Sequence, residues 1–358
     1  ELGIGAPIAA GPLAAAASRK MRVLVVGHGL IGKQRALALA ALEKSEQHAG
    51  LRLAGTVDPV ERRADLFPSV PHYAELSQVP ASSFDAAVIA LPHHLASDVA
   101  RRVLSTGKPV LIEKPLALSA AGARELESLA GTVPLPSFVG YNYRFLPTMR
   151  KVFDRLADGY LGELRSVDLF IGHGGHPRST EDWKLRPELA GGGVLIDPGV
   201  HLLDLALQVV PNLTCTATEA TRGFWKTGIE EDVAAILKSG RAIVSVRVSL
   251  IRWVNTFRLE FVGEDGYALV DGRGGTYGPQ TLRMGRRWGW NDGSGRTQRA
   301  TEEVFDFGPA NTSLDEEMSA VALAWLTGQV AANRPHPATM AEGVEVAALC
   351  ESMYSLIR

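Results

Sequence analysis

The sequence has 358 residues, of which 46% are hydrophobic and 21% charged, and its formal net charge at pH 7 is −2. This length is typical of two domains, and the composition is that of a soluble globular protein. The balanced charge argues against a nucleic-acid partner, which usually requires a strong basic excess. Two cysteines, Cys215 and Cys350, are too few and too far apart for a disulfide framework or a zinc cluster. They favour a reducing cytoplasm.

Residues 1–20 differ from the rest of the chain. They are rich in Ala, Gly and Pro, and Pro7 and Pro12 interrupt them. They lack the basic region of a signal peptide and the ~20 apolar residues of a membrane span. We interpret them as a disordered or artificial leader, with Met21 near the native start, and a trimmed export signal is the alternative. No other stretch is apolar over a long enough length, so we expect no membrane span.

From Met21 the chain alternates short apolar runs with segments of helical periodicity. Such alternation predicts right-handed strand–helix–strand crossovers and a parallel sheet covered by helices on both faces. The strands are expected at Met21–Val26, Leu51–Val57, Phe84–Leu91, Val110–Ile112 and Pro136–Gly140, and the helices at Leu30–Leu42, Ala96–Leu104 and Ala120–Leu129.

A glycine motif separates the first strand from the first helix. Gly27, Gly29 and Gly32 have the spacing that allows a tight turn, close approach of a pyrophosphate, and helix–strand contact. The following residues, Leu30 and Ile31, open the helix, whose free N–H groups attract phosphate. Because the motif follows a strand and opens a helix, it predicts a dinucleotide-binding Rossmann domain over residues 21–143. A purely structural turn is the alternative.

The second strand ends at Asp58, where an acidic residue usually accepts the ribose 2′-hydroxyl and repels a 2′-phosphate. This favours NAD(H) over NADP(H) as cofactor. Arg62 and Arg63 weaken the preference, because a nearby arginine can receive the phosphate, although both could equally be solvated helix residues.

Residues 144–358 have a different pattern, with several strands of period-two alternation and two final helices. They predict an α+β domain built on a mainly antiparallel open sheet. One face of this sheet is mixed in polarity, so we expect either pairing with a second copy, as a homodimer or homotetramer, or solvation. The strands are expected at Ser166–Ile171, Thr216–Arg222, Asp232–Leu237, Ala242–Ile251, Thr256–Val262 and Tyr267–Val270, and the helices at Ser313–Leu326 and Met340–Ile357.

Lys114 is the first catalytic candidate. It follows the strand that ends at Ile112, and ligands of open α/β sheets bind beyond the carboxyl ends of the strands. An ammonium group there would stabilise a developing alkoxide. A surface lysine at a strand end is the alternative.

A glycine-rich stretch, residues 191–193, leads to Asp197, Pro198 and His201. Asp197 and His201 are four residues apart and therefore predicted on one helix face. Histidine is suited to carry a proton near neutral pH, and its ordinary pKa is ~6.5. The alternatives are that Asp197 caps the helix, with Pro198 at its first position, and that His201 is a structural helix residue. Asp204 could orient the imidazole, or be solvated or salt-bridged.

Together these motifs resemble the glucose–fructose oxidoreductase/inositol dehydrogenase (Gfo/Idh/MocA) family over nearly the whole chain from Met21. The shared features, in family order and spacing, are the glycine loop, Glu113-Lys114-Pro115, the segment Tyr141–Pro147, the block from residue 191 to Asp204, and the hairpin Leu259–Asp271. The sequence departs from the family at Arg35 and Ala96, where histidines are common.

The resemblance implies that Lys114, Asp197 and His201 act together, with His201 exchanging the proton of a secondary alcohol or ketone and Lys114 polarising its oxygen. It implies further that Asp197 places the substrate. The cofactor would be lined by Leu91, Pro92, Glu113 and Lys114, and the substrate by Asn142, Arg144, Trp183, Lys184, Asp197 and His201.

The loop His173–Leu185 also contains His176, but no Cys or carboxylate spacing supports a metal, so we expect no metal site. Arg144, Lys184 and Arg186 could hold an anionic group or simply be solvated.

These features predict an NAD(P)-dependent oxidoreductase that acts on a ring hydroxyl or ketone of a sugar, sugar derivative or cyclitol. Reduction of an unsaturated or imine-type substrate is an alternative within the same class. The alternatives from other classes are a sensor that binds NAD and a sugar without turnover, and a glycoside hydrolase that recycles its NAD.

Overall fold

The computed structural model describes residues 19–60, 67–175, 183–287 and 302–357. Nearly all of the expected leader lies outside these ranges, as do Arg62, Arg63 and His176.

The first sheet contains six parallel strands in the spatial order β6-β5-β4-β1-β2-β3. Five of them were predicted to within a few residues, and the two-residue β3 was not predicted. Because all the strands point the same way, their carboxyl ends form one edge of the sheet. The strands are β1 Met21–Val26, β2 Leu51–Val57, β3 His72–Tyr73, β4 Ala86–Ile89, β5 Val110–Glu113 and β6 Phe138–Gly140.

The second sheet has eight strands in the order β14-β13-β12-β11-β7-β10-β9-β8. It confirms the prediction of a mainly antiparallel sheet, but its central pair, β7 and β10, is parallel, which the strand-by-strand alternation could not reveal. The strands are β7 Leu164–Gly172, β8 Thr214–Thr221, β9 Asp232–Ser239, β10 Ala242–Ser249, β11 Thr256–Gly263, β12 Gly266–Asp271, β13 Thr281–Arg286 and β14 Glu303–Asp306.

Eight α-helices in the described part of the chain cover these sheets. The first, α1, has the predicted bounds, whereas α4 was not predicted. The helices are α1 Leu30–Leu42, α2 His93–Leu104, α3 Ala120–Ala130, α4 Pro147–Ala157, α5 Pro187–Ala190, α6 Val200–Val209, α7 Ser313–Thr327 and α8 Met340–Leu356.

The end of the chain returns to the first sheet. The short strand β15, Ala338–Thr339, pairs antiparallel with β6. Helix α7 packs its buried Met318, Val321 and Trp325 against the same core as β1 and α1, and the Trp325 indole N–H donates to the Pro136 carbonyl oxygen at 2.9 Å. The C-terminal segment therefore contributes to the core around the first sheet, although it follows the second sheet in sequence.

One described segment, Pro187–Val209, is long and apolar enough to cross a membrane, with a mean hydropathy of 1.2. We expected no stretch after residue 20 that is long and apolar enough to cross a membrane. Judged by length and composition alone, that expectation was wrong. However, 72% of an 18-residue stretch within this segment is buried inside the protein. Helix α6 contributes Leu202, Leu203 and Leu205 to the core. This is the behaviour of a core helix.

Candidate active site

The glycine loop makes close backbone contacts at the carboxyl edge of the first sheet. Gly27 has φ +87°, and a Cβ atom there would lie 2.3 Å from the Ala90 carbonyl oxygen. A Cβ on Gly32 would lie 1.8 Å from the Gly27 carbonyl oxygen. Gly32 is buried beneath the loop, so its role is to let α1 approach the turn rather than to contact a ligand directly.

The N-terminus of α1 is open. It has no side-chain cap and no acidic residue in its first turn, so its first N–H groups and its positive dipole end are free to receive an anion. Leu30, which begins the helix, is 76% exposed. The neighbouring Ile31 is 38% exposed, so the start of α1 presents apolar side chains to solvent.

Asp58 is fixed by backbone hydrogen bonds, because its carboxylate accepts from the N–H of His28 at 2.8 Å and of Val60 at 2.9 Å. It borders a cavity of about 530 Å³. We call this the dinucleotide cavity. All of the predicted cofactor residues except Gly32 line it, namely Gly27, Gly29, Leu30, Ile31, Asp58, Leu91, Pro92, Glu113 and Lys114.

Asp197 lies between two lysines. The Nζ atom of Lys114 donates both to the Asp197 carboxylate and, at 2.8 Å, to its backbone oxygen. The Nζ atom of Lys184 donates to Oδ2 of the same carboxylate at 3.0 Å. Burial acts to raise the pKa of Asp197, but the two ammonium groups outweigh it, and the pKa lies well below its usual range. Burial also lowers the pKa of Lys114, against the opposing effect of Asp197.

The helix-cap interpretation of Asp197 was wrong. A π-helical turn, Leu195–Gly199, precedes α6 and includes both Asp197 and Pro198, and its N-cap is Val194, which makes no side-chain cap. The chain therefore turns helically before Asp197, and the carboxylate points to the lysines. Turns of this type often occur at functional sites.

His201 lies in the first turn of α6, and its ring stacks on Tyr143 with centroids 4.0 Å apart and planes 10° apart. Its Nδ1 atom is buried without a hydrogen-bond partner among the described residues. Burial, followed by the positive charges of Lys114 and Arg273, lowers the pKa of His201 well below its usual value. The expectation that it titrates near ~6.5 is therefore wrong, because the site disfavours the imidazolium.

A second cavity, of about 650 Å³, lies between the two sheets. We call it the substrate cavity. His201, Asn142 and Arg273 line it, and five residues line both cavities, namely Ile31, Glu113, Lys114, Lys184 and Asp197. The predicted catalytic residues are thus brought together at the wall that the two cavities share.

The prediction that Arg144 contacts the substrate was wrong. Its guanidinium pairs with Asp204, Nε to Oδ2 at 2.8 Å, and both side chains are 1% exposed. It also pairs with Glu342 at 3.1 Å. Arg144 does not line the substrate cavity, because these carboxylates hold it in the core. For the same reason Asp204 does not orient His201.

The remaining predicted substrate residues lie at the site in different ways. Asn142 donates from Nδ2 to the Ser313 hydroxyl at 2.7 Å and lines the substrate cavity. Trp183 lines the dinucleotide cavity, with its ring edge against His93. Arg186, the third residue considered for an anionic group, is exposed and pairs with Glu188.

Sequence reasoning missed a buried ionic cluster behind Glu113. Arg35 donates from Nε to Glu113 at 2.8 Å and from an amino group to Glu317 at 2.5 Å. Arg35 stands where the family commonly has a histidine, but its partner Glu317 lies 282 residues away on α7, and nothing in the local sequence indicates this pairing. The cluster positions Glu113 at the wall between the cavities.

Two family models match the chain. "Oxidoreductase family, NAD-binding Rossmann fold" matches residues 21–141, and "GFO/IDH/MocA C-terminal domain" matches residues 149–269. Together they cover the six parallel strands of the first sheet, strands β7 to β11 of the second, and Lys114, Asp197 and His201.

A curated relative, the putative UDP-kanosamine synthase oxidoreductase subunit of Amycolatopsis mediterranei (strain S699), is 34% identical over 193 residues. The match covers 51% of this chain and 50% of the relative, so the chain spans about half of that protein's length.

Similar solved structures cover nearly the whole chain. A levoglucosan dehydrogenase in complex with NADH has a TM-score of 0.79 at 18% identity, covering 95% of this chain and 98% of that one. A 3-ketoreductase from Actinomadura kijaniata, in complex with NADP and TDP-benzene, has a TM-score of 0.76 at 22% identity, with the same coverage. At these identities the likeness establishes the fold. With both family models matched in order, the chain belongs to the Gfo/Idh/MocA family of NAD(P)-dependent oxidoreductases.

Proposed function

We propose that the protein transfers a hydride between a nicotinamide cofactor and a secondary alcohol or ketone of a sugar, sugar derivative or cyclitol. The observation that carries the proposal is the shared wall, where Lys114 and Asp197 border both the dinucleotide cavity and the substrate cavity. His201 borders the substrate side of this wall. Proton-handling groups thus adjoin both places where the reacting molecules would bind.

The residues of the dinucleotide cavity fit a nicotinamide dinucleotide. The uncapped start of α1 suits the pyrophosphate, and the close contacts of Gly27 and Gly32 leave no room for side chains at the turn. The bound cofactor would supply or accept the hydride, and the protein would supply position and electrostatics.

The chain's own groups would handle the proton and the oxygen of the substrate. The Lys114 ammonium would donate a hydrogen bond to the alcohol or ketone oxygen and stabilise negative charge on it. Asp197 holds Lys114 by two hydrogen bonds and so fixes that donor. His201, kept neutral by its surroundings, would accept the alcohol proton during oxidation and return it during reduction.

We propose NAD(H) as the preferred cofactor. Asp58 lines the dinucleotide cavity with a carboxylate that two backbone N–H groups fix in place. A fixed negative charge at this position accepts ribose hydroxyls and repels a 2′-phosphate. Kd values for NADH and NADPH, measured by fluorescence on the wild type and Asp58→Asn, test this. The variant should lose most of the discrimination between the two.

We also propose that the protein is cytoplasmic and forms a homo-oligomer. Ile236 and Ile243, on neighbouring strands β9 and β10, are 37% and 45% exposed on the outer face of the second sheet. A second copy could cover this face. A monomeric mass by light scattering at working concentration would reject the assembly. The free Cys215 and Cys350 are compatible with a reducing compartment.

A nicotinamide absorbance screen tests the function. NAD and NADP, in both redox states, would be assayed with inositols, free sugars, sugar phosphates, nucleotide sugars and their keto forms. Turnover with one class supports the proposal and names the substrate class. Tight cofactor binding without redox change would favour a sensor, and product without net NADH would favour internally recycled cofactor.

A further inference from the structure

Arg273 enters the substrate cavity from a glycine-rich loop that is hydrogen-bonded to neighbouring backbone. The loop follows β12, and its glycines at 272, 274, 275 and 278 all have positive φ, between +58° and +84°. Backbone hydrogen bonds tie it down, from Gly272 N–H to the Phe257 oxygen at 2.9 Å and from Gly275 N–H to the Pro309 oxygen at 3.0 Å. The position of Arg273 is therefore determined by the backbone on both sides of it.

The guanidinium of Arg273 is held between two aromatic rings. Its Cζ atom lies 4.0 Å from the ring centroid of Tyr277 and 5.2 Å from that of Tyr143. Tyr143 in turn stacks on His201. Such cation–π contacts orient a guanidinium and leave its N–H groups available. The ring of Tyr143 thus contacts both Arg273 and His201.

Arg273 lacks the partner that a half-buried charge requires. Its Nε atom is buried without a hydrogen-bond partner, and no carboxylate of the described residues lies within salt-bridge distance of it. None of the acidic residues of the cavity pairs with Arg273: Asp197 binds two lysines, Glu113 binds Arg35, and Asp315 is exposed on α7. The guanidinium of Arg273 therefore presents to the cavity N–H groups that no carboxylate of the described residues neutralises, and these suit an oxyanion of a ligand.

We infer that the substrate carries an anionic group, a carboxylate or a phosphate, which Arg273 binds while Lys114 and His201 act on a hydroxyl or ketone of the same molecule. Arg273 lines the substrate cavity and not the dinucleotide cavity, so the anion belongs to the substrate rather than to the cofactor. A guanidinium fork matches either oxyanion in a bidentate fashion. This inference deepens the proposed function and rests on it.

Calorimetric titration of the cofactor-loaded protein tests the inference without requiring turnover. The probes would be matched sets of neutral sugars and cyclitols, the corresponding uronates, and the corresponding monophosphates. We expect an anionic member to bind at least 10-fold more tightly than its neutral counterpart. Arg273→Met should abolish this preference, with a loss of about 10- to 100-fold in affinity, as expected for a hydrogen bond to a charged group. Arg273→Lys should retain part of it.

Controls separate this inference from the proposed function. NADH affinity should be unchanged in Arg273→Met, and Arg258→Met, at an exposed position of the second sheet, should match the wild type in every titration. Preference for uronates or for monophosphates identifies the anion. Equal binding of neutral and anionic probes, absence of binding by every anionic probe, or full retention of the preference in Arg273→Met would overturn the inference. Binding of an anionic probe without turnover of any compound would instead contradict the proposed function.

Discussion

The imidazole of His201 lies parallel to the phenol ring of Tyr143, 4.0 Å between centroids. The stack holds the ring at the substrate cavity in an environment that disfavours its protonated form. A histidine that remains neutral in the free protein is able to accept a proton, which is the role we propose for it when an alcohol is oxidised.

His201→Asn should therefore lower kcat for alcohol oxidation by about 10²- to 10⁴-fold, the usual contribution of a general base. Because the pKa of His201 lies well below its ordinary value, wild-type oxidation should show no loss attributable to a group of pKa ~6.5 as the pH falls through that value. His48→Asn, at a remote turn near Ser319, serves as control. A His201-dependent inflection near 6.5 would contradict this account.

The pair of Arg144 and Asp204 gives a stability prediction. Both side chains are 1% exposed, so Asp204→Asn would leave a buried guanidinium partly uncompensated and should cost about 3–5 kcal/mol of unfolding free energy. Urea denaturation measures this loss. Asp98→Asn, which affects an exposed pair with Arg101, should cost no more than ~1 kcal/mol. An Asp204→Asn protein of wild-type stability would contradict the structural role.

We predict that Glu317 makes the free energy of unfolding depend on pH. Burial raises its pKa to about 7, although Arg35 acts in the opposite direction. Between the ordinary carboxyl pKa of ~4.3 and 7, the unfolded chain releases this proton while the folded protein retains it, so this residue makes stability fall as the pH rises through that window.

In Glu317→Gln this contribution disappears. The variant's unfolding free energy relative to wild type should therefore increase with pH across the window and level off above pH 7, by up to ~4 kcal/mol. Thermal or urea unfolding from pH 4 to 8 measures the difference. A difference that does not change with pH would show that Glu317 titrates normally.

Local pattern was sufficient to predict much of the fold and the site. Helix α1 begins and ends at the predicted residues, Leu30 and Leu42, because an apolar strand, a glycine turn and a helical period follow in immediate succession. Lys114 was located by its place after a parallel strand. The strands β13 and β14 were not predicted because arginines and acidic residues interrupt their apolar pattern, and β14 has no fully buried residue.

The errors arose where a side chain's partner is remote in sequence. The sequence predicts Arg144 as a substrate residue because its pairing with Asp204, 60 residues later, leaves no local signal. Asp197 was interpreted as a cap because Asp-Pro before an apolar run is typical of one, whereas the π turn begins two residues earlier. Arg273 was overlooked as one cation among glycines, and only the folded cavity reveals its position.

Lys114→Ala provides the most direct test of the central claim, that Lys114, Asp197 and His201 form the reaction centre beside a nicotinamide site. With the substrate found in the absorbance screen, kcat should fall by about 10²-fold or more, as for removal of a group that stabilises developing negative charge, while the Kd for NADH by fluorescence titration stays within a few-fold of the wild type. Lys238→Ala, on an exposed position of β9, should behave as the wild type. Wild-type turnover in Lys114→Ala would contradict the account.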